Sequence, residues 1–458
     1  MTSNETPVSI GPAPETLPRL SRADVKVIGT AVLGWTVDMF DLMLILHVAS
    51  HVSTAFFPSA NPMLGLTATY GAFAVSLVVR PLGGLVFGSL ADRAGRRRAM
   101  AIAVLGAGVT TALMGLLPGV ATLGVAAPVS LMLLRVVQGV FVGGVSASAH
   151  TLATESVPER FRGLTAGLIK GGGASLAVVA INLLILAVTA VAGPDGFAAW
   201  GWRVLFLAGL LGSVLNYLAL RRTEESPLWL RRRAQLAASA PAGAGPDQVE
   251  RPGRALFSRR WRTLTLMSAA IVFTASAPYY LTTGILPTVY KQVFGLSQGE
   301  TSSFVIINVV GSAAVAALCG HFSQRVGRKK VFLGAGVACL VLIPGLYAVM
   351  VWVDRPAPAF LLACSAVMVM ASGAISAPLI IFLNELFPTE IRSSATAFAW
   401  NVGYGLSGMM PTVVTAVSVG ADDMVPTLIV MSVLLGALFL GLLARSGETR
   451  GALDGPTP

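Results

Sequence analysis

Charged side chains are scarce in this chain: Asp, Glu, Lys and Arg make up 12% of its 458 residues, against 55% hydrophobic residues and a mean hydropathy of +0.76. A soluble domain carries about twice that share of charge, so a soluble fold is excluded and the chain needs lipid around it. Cysteine is nearly absent too. Cys319, Cys339 and Cys364 lie in apolar stretches at spacings that suit neither a disulfide nor a metal site, and read as small core residues. No nucleophile beside a base, no phosphate-binding glycine loop and no cluster of metal ligands stands out. That argues against an enzyme, and neither a cofactor nor a metal is expected. Acidic residues are outnumbered, 21 to 32, for a formal charge of +11. The basic residues form no stripe between aromatic platforms, so nucleic acid is not an expected partner. They fall instead in short clusters between long apolar runs.

Those runs are what the sequence has in abundance. A helix needs about 20 apolar residues to cross the hydrocarbon core. Twelve such stretches lie near 27–50, 66–90, 99–118, 127–150, 164–190, 202–220, 264–290, 302–322, 330–352, 359–383, 395–417 and 425–444. They are too long and too rich in glycine for barrel strands, which alternate over about 10 residues. The expected fold is therefore an all-α membrane protein of twelve transmembrane helices. Residues 1–24 are polar and lack the pattern of a cleavable leader, which makes helix 1 the expected membrane-targeting element.

The loops give the orientation. One side carries Arg93, Arg96, Arg97 and Arg98, then Arg160 and Arg162, ten arginines from Arg221 to Arg262, and Arg325, Arg328, Lys329, Lys330 and Arg392. The other side carries only Lys291 and Arg355. By the positive-inside rule both termini and the loop 221–262 are expected in the cytoplasm. That loop, with its AASAPAGAGPDQ stretch, is too poor in large apolar residues to form a core. It separates an N-terminal bundle, 25–220, from a C-terminal bundle, 263–445, with tails at 1–24 and 446–458.

The two halves repeat each other. GSLADRAGRRRAM (Gly88–Met100) aligns without gaps on GHFSQRVGRKKVF (Gly320–Phe332), matching Gly88 with Gly320, Arg93 with Arg325, Gly95 with Gly327 and Arg96 with Arg328. ESVPERFRG from Glu155 and ELFPTEIRS from Glu385 fit almost the same offset. A six-helix unit repeated in parallel places a site between the halves near the bilayer midplane.

These residues resemble the major facilitator superfamily over essentially the whole chain. GSLADRAGRRRAM is similar to its signature loop between helices 2 and 3, RVVQGVFVGG (Arg135–Gly144) to its helix 4 motif, and VPERFRG to its helix 4 to 5 junction. FFPSANPMLGL, VVRPLGGLVFGSLADRAGRR, WGWRVLF and ELFPTEIRSSATAFAWNVGYGLSG resemble the metabolite:proton symporters within it. Helix 1 departs from their E-W-[FY]-D-F run. Its VDMFD is closer to the D-x-x-D of the sialate- and aromatic-acid:proton symporters. The resemblance implies two bundles related by pseudo-two-fold symmetry and alternating access. It also implies a cytoplasmic gate at Gly88, Asp92, Arg93, Gly95, Arg96, Glu155 and Arg162, with a second copy at Gly320, Arg325, Gly327, Arg328, Glu385 and Arg392. Gln324 stands where the second copy should have its acid, so a weaker latch is expected there. Glu385 is expected to pair with Arg392. Independently of the family, Gly83, Gly84 and Gly88 should let helix 2 approach a neighbour closely.

An ionisable residue at bilayer depth costs ~2.5–3.5 kcal/mol on insertion scales. Asp38 and Asp41 share one face of helix 1, about 16 and 21 Å from its cytoplasmic start at 1.5 Å per residue. Two carboxylates so close disfavour simultaneous ionisation, which equips one of them to load and release a proton. Arg135, at a similar depth on helix 4, is the expected coupling partner. Arg80 could hold a substrate carboxylate through two parallel hydrogen bonds, or pair permanently with Asp38. Lys170, among the glycines of GLIKGGGAS, is a substrate candidate with snorkelling as the alternative. Gln138, Tyr279, Tyr280, Asn308, Asn384, Asn401 and Tyr404 complete the candidate substrate set, each alternatively a link between helices. The function expected from these residues is proton-coupled symport of a small organic anion, a mono-, di- or aromatic carboxylate, by a monomeric carrier in the bilayer. The alternative is proton-coupled drug or metabolite efflux. Residues 164–190 contain no proline, whereas antiporters of the superfamily usually carry a Gly-Pro motif in helix 5.

Overall fold

The computed structural model describes residues 21–156, 161, 164–165, 167–221, 258–387 and 392–449. Within that range the side chains of 22–24, 27, 88–89, 91–94, 96, 146–156 and 392–394 are not described. Nearly all of the 221–262 loop and most of both tails lie outside these residues. Every regular element among the described residues is a helix.

The first half contains α1 (Arg22–His47), α2 (Pro62–Ala94), α3 (Arg96–Leu116), α4 (Ala126–Ser156), α5 (Ala174–Gly196) and α6 (Trp202–Arg221). The second contains α7 (Arg262–Tyr279), α8 (Gln298–Val326), α9 (Arg328–Trp352), α10 (Pro358–Ser376), α11 (Arg392–Gly408) and α12 (Met424–Ala444). Among the described residues, ten helical stretches are long and apolar enough to cross a membrane. One of them, Leu168–Arg221, has 54 residues. It would be about 80 Å long if straight, and it folds back at Gly193, whose φ of 72° suits only glycine, beside Pro194. It therefore makes two crossings, α5 and α6. The twelfth crossing is α11 with its continuation Met410–Val417, interrupted at Met409 ahead of Pro411.

Proline also divides two further helices that the apolar pattern presents as continuous. Pro278 lies one residue before the end of α7, which passes into a π-helical turn at Tyr280–Gly284 and a short helix at Leu286–Gln292. The Thr282 hydroxyl donates to the Pro278 carbonyl at 2.7 Å. α10 ends at Ser376 before Pro378, and Leu379–Leu386 continues it.

Lipid gives no hydrophobic drive for one helix to meet another, so close packing falls to small residues. A Cβ at Gly139 or Gly143 of α4 would come within 2.3 Å of the Ser76 carbonyl oxygen or 2.1 Å of that of Arg80. At Gly83 of α2 it would meet the Val140 carbonyl oxygen at 2.0 Å. The expected close approach of helix 2 is thus to α4, and Gly83 makes it. Gly84 has only an ordinary 3.8 Å neighbour, and the side of Gly88 is not described.

The repeat is visible in the backbone. Gly95 (φ 98°, ψ 147°) precedes α3, and Gly327 (φ 110°, ψ 152°) precedes α9, so equivalent turns use the same left-handed glycine. The halves meet where α5 packs on α8 and α2 on α11. At the end opposite the arginine-rich loops, the Tyr70 hydroxyl of α2 hydrogen-bonds Thr288 of the second half. The outside is apolar, with Leu85, Leu133, Val310 and Leu434 exposed, whereas Asp38, Asp41, Arg80, Arg135 and Lys170 are buried. Charge is inside and hydrocarbon outside, as a lipid solvent requires.

Candidate functional site

α1 carries Asp38 and Asp41 into the first half, 4% and 1% exposed. Asp38 Oδ1 accepts from Arg80 Nη2 at 3.4 Å. Of the two roles open to Arg80, the structure therefore places it in the ion pair. Arg135 does not reach a carboxylate of α1. Its Nη1 donates to Gln138 Oε1 at 2.8 Å, because a residue three positions along lies on the same helix face. Gln138 Nε2 donates in turn to Thr111 Oγ1 of α3 at 2.6 Å, and Thr111 donates to the Ala107 carbonyl at 3.0 Å. Gln138, a substrate candidate, thus serves to hold Arg135. Asp41 stands between these groups with both oxygens buried and neither in a salt bridge. Gly209 of α6 makes room for it, since a Cβ there would lie 2.9 Å from Asp41 Oδ1.

Between the halves lies a small, partly open cavity. Lys170 enters it from Leu168–Gly173, a π-helical turn that leads into α5. Such turns insert a residue into the helical ladder and re-aim the side chains around it. Lys170 is 7% exposed, and its Nζ has no hydrogen-bond partner. That ammonium sits 4.0 Å from the centroid of the Trp400 ring and 4.9 Å from that of Tyr404, both on α11. The two rings are stacked at 5.2 Å. Buried cation–π contacts of this kind are worth about 2 kcal/mol. Trp35 of α1 and Tyr279 close the aromatic side of the cavity. Ser175 of α5, Ser276 of α7, Ser312 of α8 and Ser376 of α10, with Gly171, Ala174 and Gly373, line the rest.

Three of the expected substrate residues thus meet in one cavity: Lys170, Tyr279 and Tyr404. Tyr280 is behind them, packed on Phe73 and Tyr404. Asn308 instead bonds Tyr290 and Ser365 at 3.2 and 2.9 Å, a link within the second half. The Asn401 amide donates to the Ala397 carbonyl at 2.9 Å, and Asn384 lies outside the cavity lining. Trp35, Trp400 and the four serines were not singled out from the sequence. Trp35 lies three residues before Asp38 on the same face of α1, which was the available signal; the serines carried none.

At the arginine-rich end, the side chains of Asp92, Arg93, Arg96 and Glu155 and all of Arg162 lie outside the description, so the first gate copy is seen only through Gly95. The second copy is described more fully. Arg328 Nε and Nη2 grip the two Glu385 oxygens at 3.2 and 3.1 Å, and Nη1 reaches Ser323 at 2.7 Å. Glu385 also accepts from Thr449 Oγ1 at 2.9 Å, while Arg392, its expected partner, has no described side chain. Glu448 accepts from the Arg328 and Lys329 amides at 2.8 and 3.1 Å, capping the start of α9. The acid missing at Gln324 is supplied by residues beyond the loop, Glu385 from the continuation of α10 and Glu448 from after α12. Arg325 has interactions of its own, and Gly320 lies buried on α8.

Two six-helix bundles with a cavity between them, buried charge and an apolar exterior define a multi-pass membrane carrier of small solutes. The Major Facilitator Superfamily family model matches residues 27–412 and again 269–453, and the chain belongs to that family. Among curated relatives, the proline/betaine transporter of Salmonella typhimurium is 28% identical over 94% of this chain and 85% of its own length. The citrate-proton symporter of Salmonella typhi is 27% identical over 84% of this chain and 85% of its own. The fold matches the solved structure of the proton:xylose symporter XylE bound to 6-bromo-6-deoxy-D-glucose, with a TM-score of 0.68 at 19% identity, over 93% of this chain and 97% of that one.

Proposed function

We propose that this carrier imports a small carboxylate-bearing solute by symport with protons. The observation that carries the proposal is how the buried charges divide. Asp38 and Arg80 neutralise each other, and Arg135 is held by Gln138. Asp41, Arg135 and Lys170 are left without a salt-bridge partner among the described residues, and of these only Asp41 is an acid and only Lys170 lines the cavity. A proton placed on Asp38 would break an ion pair, whereas one placed on Asp41 breaks none. Asp41 is therefore the proton carrier, and Lys170, facing the cavity, is the anchor for the substrate carboxylate. Lys170 on the first half touches Trp400 and Tyr404 on the second. An anion drawn to it would sit where the two halves meet, the position from which a ligand can bias one arrangement of the bundles over another. Proton-coupled relatives support symport, and a citrate carrier among them supports an anion. The arginine-rich loops favour cytoplasmic termini in an inner membrane, and the carrier is taken to act as a monomer.

The test uses purified protein in liposomes. Asp41→Asn is expected to abolish uptake driven by an imposed pH gradient while leaving exchange of substrate between the two sides intact. Normal pH-driven accumulation in that variant would remove Asp41 from the coupling step. A thermal-shift screen against carboxylates, sugars, amino acids and cationic drugs identifies the ligand class, since a ligand that binds only the folded state raises its unfolding temperature.

A further inference from the structure

We infer that the cavity selects a hydroxylated monocarboxylate, in preference to dicarboxylates and to onium zwitterions of the betaine type. The inference rests on the reading of this cavity as the transport site. Its first ground is charge. Lys170 is the one ionisable cation among the lining residues, and no carboxylate lines the cavity. Arg80 is committed to Asp38 and Arg135 to Gln138. One carboxylate thus matches the site. A second would enter the protein interior without a counter-charge, at the cost of desolvating an unpaired ion. A quaternary ammonium faces the opposite difficulty. It is best received by aromatic faces, and here the Trp400 and Tyr404 rings already hold the Lys170 ammonium. A fixed positive charge at those rings would meet one of the same sign.

The second ground is hydrogen bonding. The Ser276 hydroxyl and the Tyr279 phenol are buried and lack any partner. A buried hydroxyl left unpaired forfeits its hydrogen bonds to water, so a ligand that offers hydroxyls of its own recovers that loss, and one with a bare carbon skeleton does not. Ser376 Oγ donates to the Ser372 carbonyl at 3.1 Å and keeps its lone pairs free to accept from a ligand hydroxyl. Polar groups therefore stand on helices of the second half, across the cavity from Lys170 on the first. The carboxylate would be held by one bundle and the hydroxyls by the other. Sites built to hydrogen-bond a substrate discriminate against analogues lacking the group far better than apolar pockets discriminate by size.

The experiment measures binding to the purified full-length protein by thermal shift and by competition. Its ligands are quinate and gluconate, cyclohexanecarboxylate as the form without hydroxyls, succinate, and glycine betaine. Quinate or gluconate should bind at least about tenfold more tightly than the other three. Ser276→Ala with Tyr279→Phe should compress that preference toward unity while leaving cyclohexanecarboxylate unchanged. Succinate or glycine betaine binding as well as the hydroxylated acids, no binding of either hydroxylated acid, or an unchanged preference in the double variant overturns the inference. Lys170→Gln separates this from failure of the underlying reading. If that variant folds, as judged by its elution profile, and binds every carboxylate as the parent does, the cavity is not the carboxylate site. If it loses them all but the parent shows no hydroxyl preference, only the selectivity inference falls. Lys170→Arg, which keeps the charge, should retain binding.

Discussion

Asp38 and Arg80 form a buried bridge at 3.4 Å, and such pairs are revealing when one partner is removed. Asp38→Asn leaves the Arg80 charge unpaired in the interior, a loss of about 3–5 kcal/mol. The unfolding temperature in detergent should fall steeply for Asp38→Asn and recover most of its value in Asp38→Asn with Arg80→Gln. Equal temperatures for parent and single variant would show that the bridge does not hold the fold. Asp41 should behave differently. It forms no salt bridge, so Asp41→Asn breaks none and should lower the unfolding temperature less than Asp38→Asn while losing coupled uptake. The sequence marked both aspartates and the cations Arg80, Arg135 and Lys170 as exceptional, because a charge at bilayer depth is visible in one dimension. It did not reveal which charge pairs with which. Arg135 turns to Gln138 rather than to α1, an outcome set by side-chain reach within one helix turn.

At the scale of elements, the glycines of α2 and α4 were legible as small residues, and the structure supplies the surfaces they meet. Gly143→Leu would drive a side chain into the Arg80 carbonyl, 2.1 Å from the position of its Cβ. Overpacking of this kind costs about 1–3 kcal/mol, and here it also pushes α2, which carries Arg80, away from α4. The variant should show a reduced yield of folded protein and a lowered unfolding temperature. A substitution at Gly172, where nothing lies within 4 Å, is the matched control and should be tolerated. Undiminished stability of Gly143→Leu would mean that the α2–α4 contact is looser than these distances. The π-helical turns at Leu168–Gly173 and Tyr280–Gly284 left no trace in the hydropathy pattern. Lys170 was read from its sequence neighbours as either a ligand or a snorkelling residue. The extra residue in its turn accompanies a placement with the ammonium inward over Trp400 rather than snorkelling.

For the molecule as a whole, alternating access requires the contact at one end to open when the other closes. Tyr70 and Thr288 join the halves at the end opposite the arginine-rich loops. Cysteines at these two positions, in a background without Cys319, Cys339 and Cys364, should be linked by a short cleavable thiol reagent. Uptake should stop on linking and return on reduction. Transport that continues in the linked protein would show that this contact need not open.

The sequence by itself determined the number of crossings, the repeat of six helices and the layer of buried charge. Each follows from local rules: a span needs a fixed length of apolar chain, a repeated unit repeats its loop residues, and lipid excludes ions wherever they occur along the chain. Only the tertiary structure decided the partners. Asp38 lies 42 residues from Arg80, Lys170 is far along the chain from Trp400, and Glu448 caps a helix that begins 120 residues earlier. Contacts across such separations depend on how helices rotate and approach, and that is fixed by packing over the whole bundle. The same holds for the serines of the cavity, which acquire meaning only when four helices aim them at one space.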